Sequence, residues 1–255
     1  MVTVTPLPAL RDNYIWLVHG DGAAVVVDPG EAAPVLAALQ VKGLRPVAVL
    51  ITHHHWDHVS GVAGLLAAHE IPVYAPAGEP VAHCTHPVQD RSRVPLAALG
   101  LDLLAMRVPG HTRGAIAYYG DGCLFSGDTL FAAGCGRLFE GTAQQMHDSL
   151  QRLAQLPGDT KLFCGHEYTI NNLRFAALVE PANKAIEVKY REALHLNAQG
   201  LPTLPSSLAS ERETNPFLRC HVAAVRAAAE RHAGRSLEAD SSVFAVLRQW
   251  KDGFR

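Results

Sequence analysis

Through the first two thirds of the chain, short apolar runs alternate with Gly- and Pro-containing turns and with stretches of helical spacing. The apolar runs predict strands over residues 2–4, 14–18, 23–27, 47–51, 73–74, 101–108, 115–119, 123–125 and 161–164. Periodicity near 3.6 predicts helices over 34–42, 62–69 and 143–156, and residues 77–95 read as a polar connection. Strands interleaved with helices argue for α/β layers rather than a bundle or an all-β sandwich. After residue 166 the alternation disappears. Helical spacing covers 173–180, 182–197, 222–232 and 242–252, with Pro181 at a natural helix start, and Pro202 and Pro205 mark a link. A division into an α/β domain over 1–166 and a small helical domain over 167–255 follows. There are no internal repeats.

The run at 47–51 ends in a cluster, His53-His54-His55-Trp56-Asp57-His58, that reads H-x-H-x-D-H. Imidazole and carboxylate are the ligands of open catalytic sites for zinc, iron or manganese. His53 and His55 are two apart at a strand end, so they point the same way. Asp57 and His58 lie past the turn and can aim at a second position. Three other apolar runs end in glycine followed by a ligand-type residue: Gly110-His111, Gly127-Asp128 and Gly165-His166. In a sheet flanked by helices, ligands gather where strands end. One such pair would mean little, because turns favour Gly and Asp. Their combination with the dense cluster predicts a binuclear metal site.

Bulk properties narrow the function without naming it. With 48% hydrophobic and 18% charged residues over 255 positions, the chain is long enough for one large core or a core with an annex. A net charge of −2 gives no basic field for nucleic acid. Residues 1–10 lack the pattern of a signal peptide, and no apolar stretch is long enough to span a membrane. Cys84, Cys123, Cys135, Cys164 and Cys220 are odd in number and show no C-x-x-C pairing, so reduced thiols of a cytoplasmic enzyme are expected.

If His53, His55 and His111 hold one ion, Asp57, His58 and His166 the other, and Asp128 bridges them, two ions about 3.5–4 Å apart share a water or hydroxide. Its pKa falls from about 15.7 towards 7, and attack on an ester-like carbonyl needs no serine or cysteine. Ser126 lacks the G-x-S-x-G surroundings of a nucleophile. Asp57 and Asp128, the carboxylates of the set, are the candidate catalytic residues as well as ligands.

These seven positions resemble the metallo-β-lactamase superfamily, which implies a four-layer αββα sandwich. Within it, Gly134-Cys135-Gly136-Arg137-Leu138-Phe139-Glu140-Gly141-Thr142, Cys164-Gly165-His166-Glu167-Tyr168-Thr169, Asn215-Pro216-Phe217-Leu218-Arg219 and the closing Arg248 to Asp252 segment resemble glyoxalase II, as does the Asp12-Asn13-Tyr14 start. That resemblance implies hydrolysis of S-D-lactoylglutathione to glutathione and D-lactate, the second step of methylglyoxal detoxification. It also implies two divalent ions, zinc first, with iron and manganese as alternatives. Glutathione would be gripped by Arg137, Tyr168, Asn172, Arg248 and Lys251. The chain departs from many relatives in carrying Arg137 for lysine and Phe139 for tyrosine, and Phe139 offers no side-chain hydrogen bond. Arg248 and Lys251 share a helix face and suit a carboxylate, although a basic pair there also serves the helix dipole. Asp28, at a strand end, reads equally as a brace for the site or as a turn residue. The rival readings are a lactonase or broad thioesterase of the same superfamily, and a non-catalytic metal-binding scaffold; a nuclease would need a basic surface. A monomer suffices.

Overall fold

Two-residue Asp-Gly turns set up the first sheet and the second alike. Asp21-Gly22 and Asp121-Gly122 all take positive φ, the conformation whose twist matches a tight antiparallel hairpin. In the computed structural model, which describes residues 2–254, the first of these turns joins β2 (Asn13–Gly20) to β3 (Ala23–Val27), and β1 (Thr3–Ala9) pairs antiparallel on the other side of β2. Helix α1 (Ala33–Lys42) then crosses to β4 (Arg45–Leu50), parallel to β3, and ends on Gly43 in the left-handed conformation. Helices α2 (Trp56–Val59) and α3 (Val62–Ala68) lead to β5 (Val73–Pro76), and β6 (His86–Val88) closes a six-stranded sheet in sequential order.

All five residues of β3 are buried, as expected of a strand covered on both faces. On one face Ile15, Leu17, Val26, Val49 and Ile51 form a core with Val35 and Leu39 of α1 and Val62 and Leu65 of α3. On the other stands a second sheet, in which β7 (Arg93–Leu96), β8 (Leu101–Arg107), β9 (Ile116–Gly120) and β10 (Cys123–Gly127) are followed by the end of β13 (Lys161–Cys164). Trp16 meets Phe163 edge-on at 5.0 Å, Phe163 stacks on Phe125 at 5.2 Å, and the Trp16 indole donates to the Cys164 carbonyl. Burying each phenylalanine contributes about 2–3 kcal/mol.

Contacts divide the chain into two units, and the elements above belong to the first, which comprises 1–107, 113–127 and 163–167. The second comprises 108–112, 128–162 and 168–255. It holds a short hairpin, β11 (Leu130–Phe131) with β12 (Gly134–Cys135), and helix α4 (Ala143–Leu153), opened by a Thr142–Gln145 capping box. Helices α5 (Thr169–Val179), α6 (Lys184–Ala198), α7 (Leu208–Thr214), α8 (Ala223–Ala233) and α9 (Asp240–Asp252) follow. Phe175, Phe217 and Phe244 are fully buried among them.

The fully buried Glu211 of α7 pins the hairpin. Its carboxylate accepts from the Ala133 N–H, Asn215 Nδ2, Ser206 Oγ and Lys189 Nζ, while Asn215 Nδ2 also donates to the Phe131 and Gly134 carbonyls. Removing one partner of a buried ion pair leaves the other charge uncompensated. Glu211→Ala is therefore expected to lose about 3 kcal/mol of unfolding free energy in denaturant titration, whereas a loss under about 1 kcal/mol would deny the network its role.

Several elements depart from the sequence expectation, α2 and the β11–β12 hairpin among them. The stretch at 77–95 contains β6 and β7, short edge strands whose prolines (Pro87, Pro95) and polar residues hide the alternation. A two-residue strand, β14 (Ser206–Ser207), pairs with Lys161 and Leu162 where no strand was expected. Helix α6 starts after Asn183, whose side chain caps the Ala185 and Ile186 amides, and not at Pro181.

Candidate metal centre

In the cluster that follows β4, the His53 and His58 rings are held from behind by Asp28, one of them through Thr52. Asp28, at the end of β3, sits at φ +50° and is 4% exposed. A left-handed aspartate stores about 1–3 kcal/mol of strain, persisting because its surroundings over-determine it. Asp28 Oδ1 accepts the Thr52 N–H at 2.7 Å, and Oδ2 accepts both Thr52 Oγ1 at 2.6 Å and His58 Nδ1 at 3.0 Å. Because the Thr52 hydroxyl proton is given to Asp28, its oxygen accepts from His53 Nδ1 at 3.0 Å. One aspartate thus sets the tautomer of His53 and His58, leaving the basic lone pair of each on Nε2. Asp28 is both the brace and the turn residue that the sequence left open.

His166 is fixed in the same way. Its Nδ1 donates to Asp12 Oδ1 at 2.8 Å, and the Asp12-Asn13-Tyr14 segment clasps Gly165-His166-Glu167 through the Tyr14 N–H to the Gly165 carbonyl and the Glu167 N–H to the Asp12 carbonyl. Burial and the neighbouring Glu167 push the Tyr14 hydroxyl pKa up, so it remains a donor to that carboxylate. Asn13 Nδ2 donates to Asp57 Oδ2 at 2.9 Å and so aims the carboxylate. Imidazoles that bind metals are oriented by such acceptors on the second nitrogen.

The ligand atoms then stand at the spacing expected of donors to one ion. Asp57 Oδ2 is 3.6 Å from His58 Nε2 and 3.4 Å from His166 Nε2, and His53 Nε2 is 3.2 Å from His55 Nδ1. Ligands about 2.0–2.1 Å from a tetrahedral ion stand about 3.3–3.4 Å apart. Asp57, His58 and His166 form one group of atoms mutually within 4.8 Å, and Asp28, His53 and His58 another. The donor set fits a divalent ion.

His111 and Asp128 belong to the second unit. His111 Nδ1 donates to the Arg137 carbonyl at 2.9 Å, which again turns Nε2 outward, and that atom lies 3.5 Å from Asp128 Oδ2. The Phe139 ring, 63% exposed, meets the His111 ring edge-on. Two glycines make these approaches possible. Gly127, before Asp128, takes φ +51°, and a Cβ there would meet Thr52 Oγ1 at 2.3 Å; a Cβ on Gly136 would meet the Asp128 carbonyl oxygen at 1.9 Å.

The remaining predicted contacts also lie in the second unit. Arg248, 5% exposed, donates through Nη1 to the Cys135 carbonyl and through Nη2 to Asp252, and its Nε is buried without a hydrogen-bond partner among the described residues. Lys251, 8% exposed, donates to the Asn171 carbonyl and lies over the Phe254 ring. Burial, reinforced by Arg248, Arg174 and Arg137, lowers the Lys251 pKa to about 8. Asn172 Nδ2 donates to the Ala132 carbonyl, Tyr168 rests edge-on against Phe131, and Arg137 is exposed near Asp252. Burial raises the Cys135 thiol to about 11, which makes it a poor ligand beside the imidazoles.

Sequence reasoning quoted Asp12 and Asn13 for the family resemblance without giving them a role, and passed over Thr52 and Glu79. Asp12, Asn13 and Thr52 stand beside predicted strand ends, where turns place polar residues routinely, and Glu79 stands in the stretch read as a polar connection.

A family model described as the metallo-beta-lactamase superfamily matches residues 9–166, and one described as hydroxyacylglutathione hydrolase C-terminus matches 167–254. A protein of Xanthomonas campestris named hydroxyacylglutathione hydrolase is 54% identical over 254 residues, covering 99% of each chain. One of the same name from Nitrosomonas europaea is 50% identical, covering 100% of this chain and 97% of its own. The crystal structure of ETHE1 from Myxococcus xanthus matches 98% of this chain and 91% of its own at 22% identity, with a TM-score of 0.68, a likeness of fold. The fold is that of the metallo-β-lactamases followed by a helical region, and its His/Asp groups make it a divalent-metal protein. With relatives of one name matching from end to end, the chain belongs to the hydroxyacylglutathione hydrolase (glyoxalase II) family of the metallo-β-lactamase superfamily.

Proposed function

We propose that this enzyme hydrolyses S-D-lactoylglutathione and related 2-hydroxyacylglutathiones to glutathione and the 2-hydroxy acid, using two divalent ions. His53, His55 and His111 would hold one ion, Asp57, His58 and His166 the other, and Asp128 would bridge them. The observation that carries this is the shared acceptor chemistry behind the imidazoles: His53, His58, His111 and His166 each commit Nδ1 to an oxygen and direct Nε2 away from it. When bound, the ions supply Lewis acidity, bringing the pKa of water from about 15.7 towards 7 and polarising a carbonyl. Zinc is the first choice for these His/Asp donors, with iron and manganese as alternatives set by availability. The chain's own part is to orient. Asp28 and Asp12 hold the ring tautomers, Asn13 aims Asp57, and Asp57 and Asp128 bring the negative charge that a divalent pair requires.

On the glutathione side, Arg248 and Lys251 would take the glycyl carboxylate, with Arg137, Tyr168 and Asn172 on the rest of the tripeptide. The buried Arg248 Nε without a partner and the depressed Lys251 support an anionic ligand, which would satisfy the first and re-stabilise the charge of the second. The junction of the two family models at 166 and 167 supports a catalytic domain over 1–166 and a glutathione-binding domain over 167–255. Five cysteines outside any disulfide support a reducing, cytoplasmic setting, and no helix among the described residues is long and apolar enough to cross a membrane. Every proposed ligand comes from one chain, so a monomer suffices.

The test is hydrolysis of lactoylglutathione against a lactoyl thioester of a small thiol. A preference of about 100-fold in kcat/KM is expected, worth about 2.7 kcal/mol at 1.36 kcal/mol per decade. Comparable values would remove the glutathione reading and leave a broad thioesterase. Chelation should abolish turnover, and added zinc, iron or manganese should restore it.

A further inference from the structure

We infer that Glu79 is a positioning residue that sets the spacing of His53 and His55 by fastening the residue between them, an inference that rests on the metal reading above. Glu79 lies in the turn after β5, and its side chain is 1% exposed. Its Oε2 accepts the His54 N–H at 2.8 Å and also His54 Nδ1, while Oε1 accepts the Gly114 N–H at 2.8 Å. The fit at Gly114 leaves no room for a side chain, since a Cβ there would meet Glu79 Cγ at 2.7 Å. The carboxylate thus ties three segments of the first unit: the β5 turn, the ligand loop and the approach to β9.

The ligand loop is fastened at alternate residues. Thr52 is held by Asp28, and its carbonyl accepts the Ile116 N–H; His54 is held by Glu79 at backbone and ring. The two ligands that flank His54 are left facing one another at 3.2 Å. With the carboxylate gone, the His54 N–H would lose its acceptor inside the fold, and the loop could relax by a backbone rotation that spreads the two rings. The role of Glu79 is to hold the ligand pair at coordination spacing before the ion arrives, which appears as affinity.

The Glu79→Gln variant keeps the shape but not the bonding. A glutamine has one acceptor oxygen, so whichever way the amide turns, its NH2 faces the His54 or the Gly114 donor. Metal affinity measured by competition with a chromogenic chelator is expected to fall about 10-fold, at the lower end of what outer-shell partners contribute. In the metal-free variant, the His54 and Gly114 amides should exchange faster while those of β3 keep wild-type rates. The thioester KM should stay within about twofold and kcat should fall, because the change touches no proposed substrate contact. His55→Ala serves as the control. If His55→Ala loses metal affinity and Glu79→Gln stays within twofold of wild type, this inference is overturned and the metal reading stands. If neither variant loses affinity, the metal reading fails and takes this inference with it. A fall in metal-free thermal stability with unchanged affinity would make Glu79 structural only and overturn its positioning role.

Discussion

Asp57→Asn is expected to lower kcat/KM for lactoylglutathione by about 10³, or about 4 kcal/mol at 1.36 kcal/mol per decade, and to leave one ion per chain in place of the proposed two. The variant has the same size, and its amide oxygen can still accept from Asn13 Nδ2, so the metal-free fold should hold. What disappears is the negative charge 3.6 Å from His58 Nε2 and 3.4 Å from His166 Nε2. A neutral amide is a weak ligand, and the ion proposed for His58 and His166 is then left with the shared Asp128 as its one carboxylate. The magnitude lies at the upper end of what single electrostatic groups contribute at active sites. Metal content by elemental analysis, read beside the steady-state rates, decides the matter. Retention of two ions with a rate within tenfold of wild type would remove Asp57 from the ligand set.

Lys251→Met should weaken substrate binding and raise stability. The substitution keeps much of the aliphatic packing over Phe175 and Phe254 but removes the charge. KM for the glutathione thioester is expected to rise about 30-fold with kcat little changed, in line with about 2 kcal/mol for truncating one member of a buried charge pair. The small-thiol thioester should show no change. The pKa of about 8 adds a pH signature: the cation is present below pH 8 and lost above it, so wild-type KM should rise through that point. The Lys251→Met profile should be flat there. For stability the sign is reversed. Because the folded pKa lies below the unfolded value of 10.5, folding penalises the charged lysine at pH 7, and the penalty fades between pH 8 and 10.5. The variant should therefore melt higher than wild type at pH 7, with the gain vanishing towards pH 10.5. An unchanged KM at pH 7 would deny Lys251 contact with the substrate.

Much of the first unit was legible because its signals are local. Asp21-Gly22 and Asp121-Gly122 specify their hairpins through backbone conformation alone, and the continuous apolar run of β3 announces a strand buried on both faces. The edge strands β6 and β7 were not legible, since a short edge strand with prolines carries little alternation to read. The helical region was readable as helices, but its hairpin clamp was not. Glu211 and Asn215 are ordinary helix-end residues until the Phe131–Gly134 turn lies against them.

At the metal centre the division follows range. The chain by itself determined the residue chemistry: H-x-H-x-D-H after an apolar run, and Gly-His, Gly-Asp and Gly-His at three other run ends. Those features lie within a few neighbouring positions, where the period of a strand and the needs of a turn already restrict the residue types. Tertiary structure alone decided which nitrogen each imidazole offers. That choice rests on acceptors far away in sequence, Asp28 for His58 and Asp12 for His166, and becomes fixed only when strands separated by many residues end side by side.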